Sequence, residues 1–223
     1  PNVLPISIIF SGLILAMFLF SVLQNNYSTA VKARFEGAFE TDLSVLKLGE
    51  QPYLEILYNL RSFFMASEIV NRNEFKDMLD RSFEVFPSLK AVDWIPKVKH
   101  ENRLEVEQEL SKVLGEKRAI RERASNGELV QSTTRGEYYP LTFIEPFEEG
   151  RPAFGYDIKS YKEQFSTFER AVKQNSPSCS PPLHPVQNPN GALHVVVVLP
   201  VYAKGVDLSS EAKRWEAVKG FLQ

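Results

Sequence analysis

Residues 3–23 form an apolar run without a charged side chain, and this run is the strongest constraint on how the chain can fold. As an α-helix, a run of this length extends about 32 Å, enough to cross the roughly 30 Å hydrocarbon core of a bilayer. A cleaved signal peptide and a buried core helix are the alternatives, but the run exceeds the usual apolar region of a signal peptide. We therefore predict a transmembrane helix over residues 1–23, with the lipid bilayer as its partner.

The segment that follows, residues 24–51, has its larger apolar side chains mostly four positions apart, beginning at Tyr27. This is helical spacing with one apolar stripe, so we predict a juxtamembrane helix that continues out of the membrane. Either the following domain or a second copy of the chain must cover the stripe. The spacing leaves both possibilities open.

The composition of the 223-residue chain is that of a protein able to bury a core. Hydrophobic residues make up 43% and aromatic residues 12% of it. The formal net charge of -2 offers no basic surface to phosphates, so we expect no nucleic-acid partner. Cys179 is the single cysteine, which excludes an internal disulfide framework.

Helix signals appear at several points after the membrane segment. Pro52 suits the first position of a helix, and apolar residues with helical spacing follow it. Asn71 with Glu74 three positions later predicts a capping box that opens another helix. Ser160 with Glu163 has the same spacing, and we predict that Ser160 caps a later helix.

Strand signals alternate with these helices. We predict strands over residues 89–95, 138–144 and 153–158 from their β-branched and aromatic residues. We also predict a strand over residues 192–202, where the unbroken apolar run 195–199 is typical of a central strand covered on both faces. Residues 217–223 are predicted to begin a further strand, which the end of the sequence cuts short. Short turns join most of these strands, so we predict an α+β fold with antiparallel sheets.

Signatures of catalysis are missing from the sequence. It has no glycine-rich phosphate loop, no His-Glu-x-x-His motif and no Gly-x-Ser-x-Gly motif. The three histidines have no metal-ligand spacing. We therefore expect this segment to be neither an enzyme nor a holder of a metal or cofactor.

A concentration of aromatic residues in 137–158 is the better candidate for a binding site. Tyr139 and Phe143 share one strand parity, and Phe154 and Tyr156 share a parity on the next predicted strand. Aromatics from adjacent strands can wall an apolar pocket with a few polar tips. The same side chains can equally fill the core between a sheet and a helix, and the sequence leaves both open.

A series of short motifs, in order along the chain, resembles the CHASE domain, an extracytoplasmic sensor module of receptor histidine kinases and nucleotide cyclases. The resemblance covers about residues 52–223. Its landmarks are a helix-opening motif at 70–75, a tryptophan-containing strand at 91–98, an Asn-Arg pair at 102–103, Tyr-Tyr-Pro at 138–140, Glu-Pro at 145–146, Gly-Tyr-Asp at 155–157 and Leu-Pro-Val-Tyr at 199–202.

The resemblance implies a membrane-anchored sensor with a long N-terminal helix and two PAS-like subdomains. In the family's cytokinin receptors an aspartate holds an adenine-type ligand, and this sequence has Pro146 at that place and Glu145 one residue earlier. This departure argues against cytokinin itself, whereas the Glu145 carboxylate can still accept a hydrogen bond from a related ligand. The expected ligand is an adenine-like molecule or another small organic molecule. The predicted ligand-binding residues are Tyr139, Phe143, Glu145, Phe154, Tyr156, Asp157, Ser180 and Leu199.

We accordingly predict three regions: the transmembrane helix over 1–23, a signalling helix over 24–51, and a CHASE-like sensor over 52–223 whose last strand is cut short. The implied function is to relay small-molecule binding across the inner (cell) membrane, from the periplasm or cell exterior, in a homodimer. The implied cytoplasmic output is a diguanylate cyclase or a histidine kinase. The alternative is a periplasmic protein-interaction module without a small-molecule ligand.

Overall fold

The computed structural model describes residues 51–67, 69–124, 127–184 and 191–223. Within it, Pro52–Gln223 forms one compact unit. The predicted transmembrane helix and most of the predicted signalling helix lie outside the described residues. Among the residues that are described, no helix has the length and apolar character needed to cross a bilayer.

Two helices open the described part of the chain. The first, α1, covers residues 51–66, and α2 is Arg72–Val85. The predicted capping box of α2 is confirmed: the Asn71 side chain accepts a hydrogen bond from the Glu74 N–H at 3.0 Å, and the Glu74 carboxylate accepts one from the Asn71 N–H at 3.0 Å. These two bonds satisfy backbone donors that otherwise have no partner at a helix start.

We expect Asn71→Ala to lower the free energy of unfolding by about 1 kcal/mol, because alanine leaves the Glu74 N–H without its acceptor. Urea unfolding of the two proteins measures the difference. Asn73→Ala is the matched control, since Asn73 is the second residue of α2, is exposed and does not cap the helix. The control should change stability by less than about 0.5 kcal/mol. Equal losses in both variants would contradict the assigned role of the cap.

Strands and helices alternate from residue 92 to the end of the chain. In order they are β1 Val92–Pro96, β2 Val98–Lys99, α3 Arg103–Leu114, β3 Arg121–Arg123, β4 Leu129–Gln131, β5 Glu137–Tyr138, β6 Phe143–Glu145, α4 Phe147–Gly150, α5 Lys162–Gln174, β7 Ser178–Cys179, β8 Val197–Tyr202, α6 Glu211–Ala217 and β9 Val218–Leu222. The predicted α+β class with antiparallel sheets is confirmed.

The main sheet has five antiparallel strands in the order β6-β1-β9-β8-β7. Strand β9 lies at its centre and pairs with β1 on one side and β8 on the other. Two small sheets, β2 with β5 and β3 with β4, complete the pairing among the described residues. The predicted C-terminal strand is thus a fully paired central strand, and β8 contains the end of the valine-rich run.

Each face of the main sheet carries its own hydrophobic core, because successive side chains of a strand point to opposite faces. Helices α1 and α2 cover one face, where the core contains Leu57, Leu60, Phe64, Phe75, Leu79, Val92, Trp94, Leu199, Val201 and Leu222. Helix α5 covers the other, where the core includes Ile95, Tyr139, Ile144, Phe154, Tyr156, Phe165, Phe168, Val198 and Phe221. We call these the α1/α2 core and the α5 core.

The prediction of one continuous strand over residues 138–144 is wrong. Strand β5 ends at Tyr138 and pairs with β2, whereas β6 begins at Phe143 and pairs with β1. Pro140, which has no backbone N–H, lies between them and cannot donate to a strand ladder. The chain therefore leaves one sheet and enters another within a few residues.

Residues 153–158 are also not a strand, contrary to the prediction. They form turns, with isolated bridges from Tyr156 to Arg121 and from Asp157 to Pro140. Ser160 does not cap α5, which begins at Lys162 after Tyr161, because its hydroxyl instead donates to the Asp157 carbonyl at 2.7 Å. The Ser160 side chain thus stabilises the turn before α5 instead of capping α5.

Candidate functional site

The eight predicted ligand-binding residues do not lie together. Tyr139, Phe154 and Tyr156 belong to the α5 core, with Asp157 buried next to them in sequence. Phe143 and Leu199 belong to the α1/α2 core, on the opposite face of the sheet. The reason is the break after β5, which puts Tyr139 and Phe143 on different faces despite their shared parity. A single site from this set can therefore include only one of the two groups.

The predicted aromatic residues of the α5 core are buried, and two of them, Tyr139 and Phe154, pack against other rings. Tyr139, Phe154 and Tyr156 are at most 1% exposed. The Tyr139 ring centroid lies 5.2 Å from that of Phe165 and 5.7 Å from that of Phe221. Both distances are typical of favourable aromatic pairs. These side chains thus act as core residues in this conformation.

Asp157 is the fully buried charged residue of this region. Its Oδ1 accepts hydrogen bonds from the backbone N–H groups of Tyr139 at 2.8 Å and Lys159 at 3.1 Å. Its Oδ2 lies 3.4 Å from Arg135 Nη1. Burial raises the pKa of the Asp157 carboxyl, while the backbone donors and Arg135 lower it. Asp157 therefore ties the turn at 158–160 to Tyr139 and to a basic side chain near the surface.

A hydrogen-bond network around Tyr138 lies next to this carboxylate, and sequence reasoning missed it. The Tyr138 hydroxyl accepts from Arg103 Nη1 at 3.1 Å and from the Arg135 N–H at 3.0 Å. It also lies 3.0 Å from His100 Nδ1. Because the two donors occupy both acceptor sites of the hydroxyl, its proton is directed at His100 Nδ1. The network thus joins β5, α3 and the loop before β5.

Two ion pairs extend this network. Arg103 Nε donates to Glu107 Oε1 at 2.7 Å, and Arg103 Nη2 donates to the Ser132 carbonyl at 3.0 Å. Arg135 forms an ion pair with Glu122 in β3 in addition to its contact with Asp157. Glu107 lies four positions after Arg103 on α3, a spacing typical of a helix ion pair that the sequence itself offered. The carboxylate partners of Arg135 come from other elements, so local spacing could not have pointed to them.

Glu145 lies in a separate buried ion pair at the α1/α2 side. Its Oε1 is 3.5 Å from Arg72 Nη2, and the Arg72 guanidinium lies 3.7 Å above the Phe147 ring. Burial raises the pKa of the Glu145 carboxyl, and the Arg72 charge opposes that rise. Phe143 packs nearby, with its ring centroid 5.5 Å from that of Phe75. Glu145 thus has a protein partner for its charge.

Ser180 lies at the edge of the main sheet. Its Oγ accepts a hydrogen bond from the Val196 N–H at 2.9 Å and donates to the Pro181 carbonyl at 2.8 Å. Its own N–H donates to the Val196 carbonyl at 2.8 Å. In this arrangement Ser180 holds the segment after β7 to the segment before β8.

The fold and the order of these residues can be compared with known families. Residues 68–223 match the model of the CHASE domain. The chain belongs to the CHASE domain family. A CHASE domain is an extracytoplasmic sensory domain of signalling receptors, and it is not catalytic. No curated protein matches the sequence significantly.

The chemistry available in this CHASE domain is that of binding. Within the described ranges, no group of three or more His, Cys, Asp and Glu side chains is placed to hold a metal ion. The buried polar groups around Asp157 and Tyr138 provide hydrogen-bond donors and acceptors close to an aromatic core. That combination is typical of sites for small molecules with a flat apolar part and a few polar atoms.

Proposed function

We propose that this CHASE domain is the ligand-sensing input module of a membrane-bound signalling receptor, with the sensor on the periplasmic or extracellular side of the cell membrane. A small organic molecule binds on the α5 side of the sheet, next to Tyr139, Tyr156 and Asp157. Binding favours one of two arrangements of the domain, and the N-terminal helix passes the change to a cytoplasmic diguanylate cyclase or histidine kinase. A ligand shifts such an equilibrium only by its differential affinity for the two arrangements.

The buried carboxylate of Asp157 is the observation that carries the proposal. It is 0% exposed, yet it faces Arg135 rather than a purely apolar environment. Its segment, 153–158, is held by turns and isolated bridges instead of a continuous strand ladder. Backbone hydrogen bonds to Arg121, Tyr139 and Leu141 hold this buried segment in place. A ligand that enters beside the α5 core would have to displace some of these bonds.

The sheet order supports the PAS-like part of the proposal. Numbered along the chain, the five strands of the main sheet run 2-1-5-4-3, the order of a PAS fold. Both PAS-like subdomains stay predictions, and the described residues contain one five-stranded sheet that can be compared with a PAS fold.

We expect a ligand from a panel of purines, amino acids, organic acids and peptides to raise the melting temperature of the full chain, purified in a mild detergent. Ligand at 100 times its Kd stabilises a folded domain by about 2.7 kcal/mol, which a thermal melt detects. In Tyr156→Phe the same ligand should lose at least about tenfold in affinity, as expected when a buried hydrogen bond to the ligand is removed.

Tyr202→Phe is the matched control for this experiment. Tyr202 is 3% exposed and belongs to the same α5 core, but it is not among the predicted ligand-binding residues. Tyr202→Phe removes one buried hydroxyl from the α5 core, as Tyr156→Phe does, but this hydroxyl lies outside the proposed site. If the ligand binds all three proteins equally, the α5-side location of the site is wrong.

A protein-interaction module is the second candidate, and the tight packing of the α5 core favours it. Tyr139 and Phe154 already have ring partners within the protein, so a small molecule would have to displace them. Leu193 and Val195, which are 58% and 56% exposed, provide an apolar surface for a partner. This function would be favoured if no compound of the ligand panel raises the melting temperature. It also requires a protein partner that binds the domain but does not bind a variant with both Leu193→Glu and Val195→Glu.

A further inference from the structure

We propose that the cleft between the end of α3 and the β3-β4 hairpin binds a small dianion, either a dicarboxylate or a phosphate group. This site is separate from the ligand site proposed above and does not depend on it. The cleft is lined by Glu116, Lys117, Arg118, Ala119, Arg121 and Gln131. Three of its six lining side chains are cationic and one is anionic.

The size of the cleft suits a small organic ion. Its volume is about 330 Å³, at the lower end of the range for small-molecule sites in proteins. The cleft is shallow and widely open to solvent, so an anion can enter without unfolding of the surrounding segments. Its lining mixes polar and apolar surface, and the polar part is the larger.

The positive charge in the cleft is balanced only in part, by Glu116. Arg118 pairs with Glu116, at 2.7 Å between Nη2 and Oε1, but Lys117 and Arg121 form no ion pair with any described residue. Burial and the nearby Arg118 charge lower the pKa of Arg121 to about 10, against an ordinary value of 12.5. A bound dianion would relieve this repulsion, and guanidinium groups bind carboxylates and phosphates through paired N–H donors.

The rim of the cleft is held in place by α3. The Arg118 N–H donates to Ser111 Oγ at 2.8 Å, and the Ile120 N–H donates to Glu107 Oε1 at 3.0 Å. Both acceptors lie on α3. A rim that is fixed before binding loses little conformational entropy when an anion arrives, and this favours affinity.

Arg121 links the cleft to the segment that carries Asp157. Its N–H donates to the Gly155 carbonyl at 2.9 Å, and its own carbonyl accepts from the Asp157 N–H at 2.8 Å. Its Nη2 donates to the carbonyls of Pro152 at 2.6 Å and Phe154 at 3.1 Å. An anion that draws the Arg121 guanidinium into the cleft would therefore act on residues 152–157.

Calorimetric titration of the full chain with inorganic phosphate and, separately, with succinate tests the proposal. We expect saturable binding of at least one of the two, and succinamide, which has the shape of succinate without its charges, should not bind. Binding of phosphate alone would identify a tetrahedral oxyanion, and binding of succinate alone a dicarboxylate. A chain that binds neither anion, or that binds succinamide as well as succinate, overturns the proposal.

A pair of double variants separates the cleft from general electrostatic attraction. Lys117→Gln with Arg118→Gln should weaken anion binding at least tenfold. Lys112→Gln with Lys204→Gln removes the same charge from exposed positions that do not line the cleft, and it should change affinity less than twofold. Equal weakening in the two double variants overturns the site. Melting curves without anion confirm that both double variants are folded.

Discussion

Gly220→Ala is expected to destabilise the domain by about 3 kcal/mol, at the upper end of what overpacking in a core usually costs. Gly220 lies in β9, opposite Pro96 of β1. A Cβ added there would lie 2.5 Å from the Ile95 carbonyl oxygen and 2.6 Å from the Trp94 ring. Because β1 is paired with β6 on its other side, its backbone cannot move away without breaking a second strand pair.

Chemical denaturation followed by tryptophan fluorescence measures this effect directly, since Trp94 is at the point of contact. The matched control is Gly136→Ala, because a Cβ at Gly136 would have no heavy atom within 4 Å. The control should change the free energy of unfolding by less than about 0.5 kcal/mol. If Gly220→Ala were as stable as the control, the close approach of β9 to β1 would be wrong.

The parts of the fold that depend on local chemistry were predictable. The Asn71 and Glu74 capping box requires only two side chains at a fixed spacing, and both of its hydrogen bonds are present. The end of the valine-rich run lies in β8, which has neighbours on both sides in the sheet. The start of the predicted strand is wrong, because Val195 lies before β8 and is 56% exposed. The α+β class followed from the same short-range patterns. Each of these features is decided by a few residues that are close in sequence.

The region between Tyr138 and Asp157 was not predictable by pattern alone. Alternation of aromatic residues indicated two strands, but Pro140 interrupts the first, and turns replace the second. The consequence for the site is large, since Tyr139 packs in the α5 core and Phe143 in the α1/α2 core. Side-chain parity predicts a shared face only when the strand between the two residues is continuous.

The polar network around Tyr138 could not be predicted for a different reason. Arg103, Ser132 and Arg135 meet at or beside Tyr138 because α3, the loop before β5 and β5 itself pack together. Ser132, Arg135 and Tyr138 are close in sequence, and their mutual contacts are local. Arg103 reaches them from α3 only because the fold brings the two segments together, so the missed part of the site is the part that depends on this long-range contact.

A long-range contact of the same kind places a carboxyl group in the centre of the main sheet. Asp93 of β1 is 7% exposed, and its Oδ2 accepts a hydrogen bond from Gln223 Nε2 at 2.8 Å. Asp93 Oδ1 and Gln223 Oε1 are both buried without a hydrogen-bond partner among the described residues. Both are acceptors in the ionised state, and a proton on Asp93 would provide the donor that they lack.

We expect Asp93→Asn to raise the free energy of unfolding at about pH 8 by roughly 2–4 kcal/mol, because an uncharged amide replaces a buried carboxylate. Burial raises the pKa of Asp93 from 3.8 to about 7, although the hydrogen bond from Gln223 opposes the rise. Between these values the folded protein holds a proton that the unfolded chain has released. The stability of the parent protein therefore falls as the pH rises from 3.8 to about 7, and the contribution of Asp93 is constant above that range.

Urea unfolding at a series of pH values measures this contribution, and Asp77→Asn is the control. Asp77 is exposed on α2, so its substitution should leave the pH dependence of stability as it is in the parent protein. Asp93→Asn should remove the fall in stability between the two pKa values, since its amide both accepts from and donates to Gln223 at any pH. A variant that keeps the full pH dependence, or that is less stable than the parent at about pH 8, would contradict a protonated Asp93 in the folded domain.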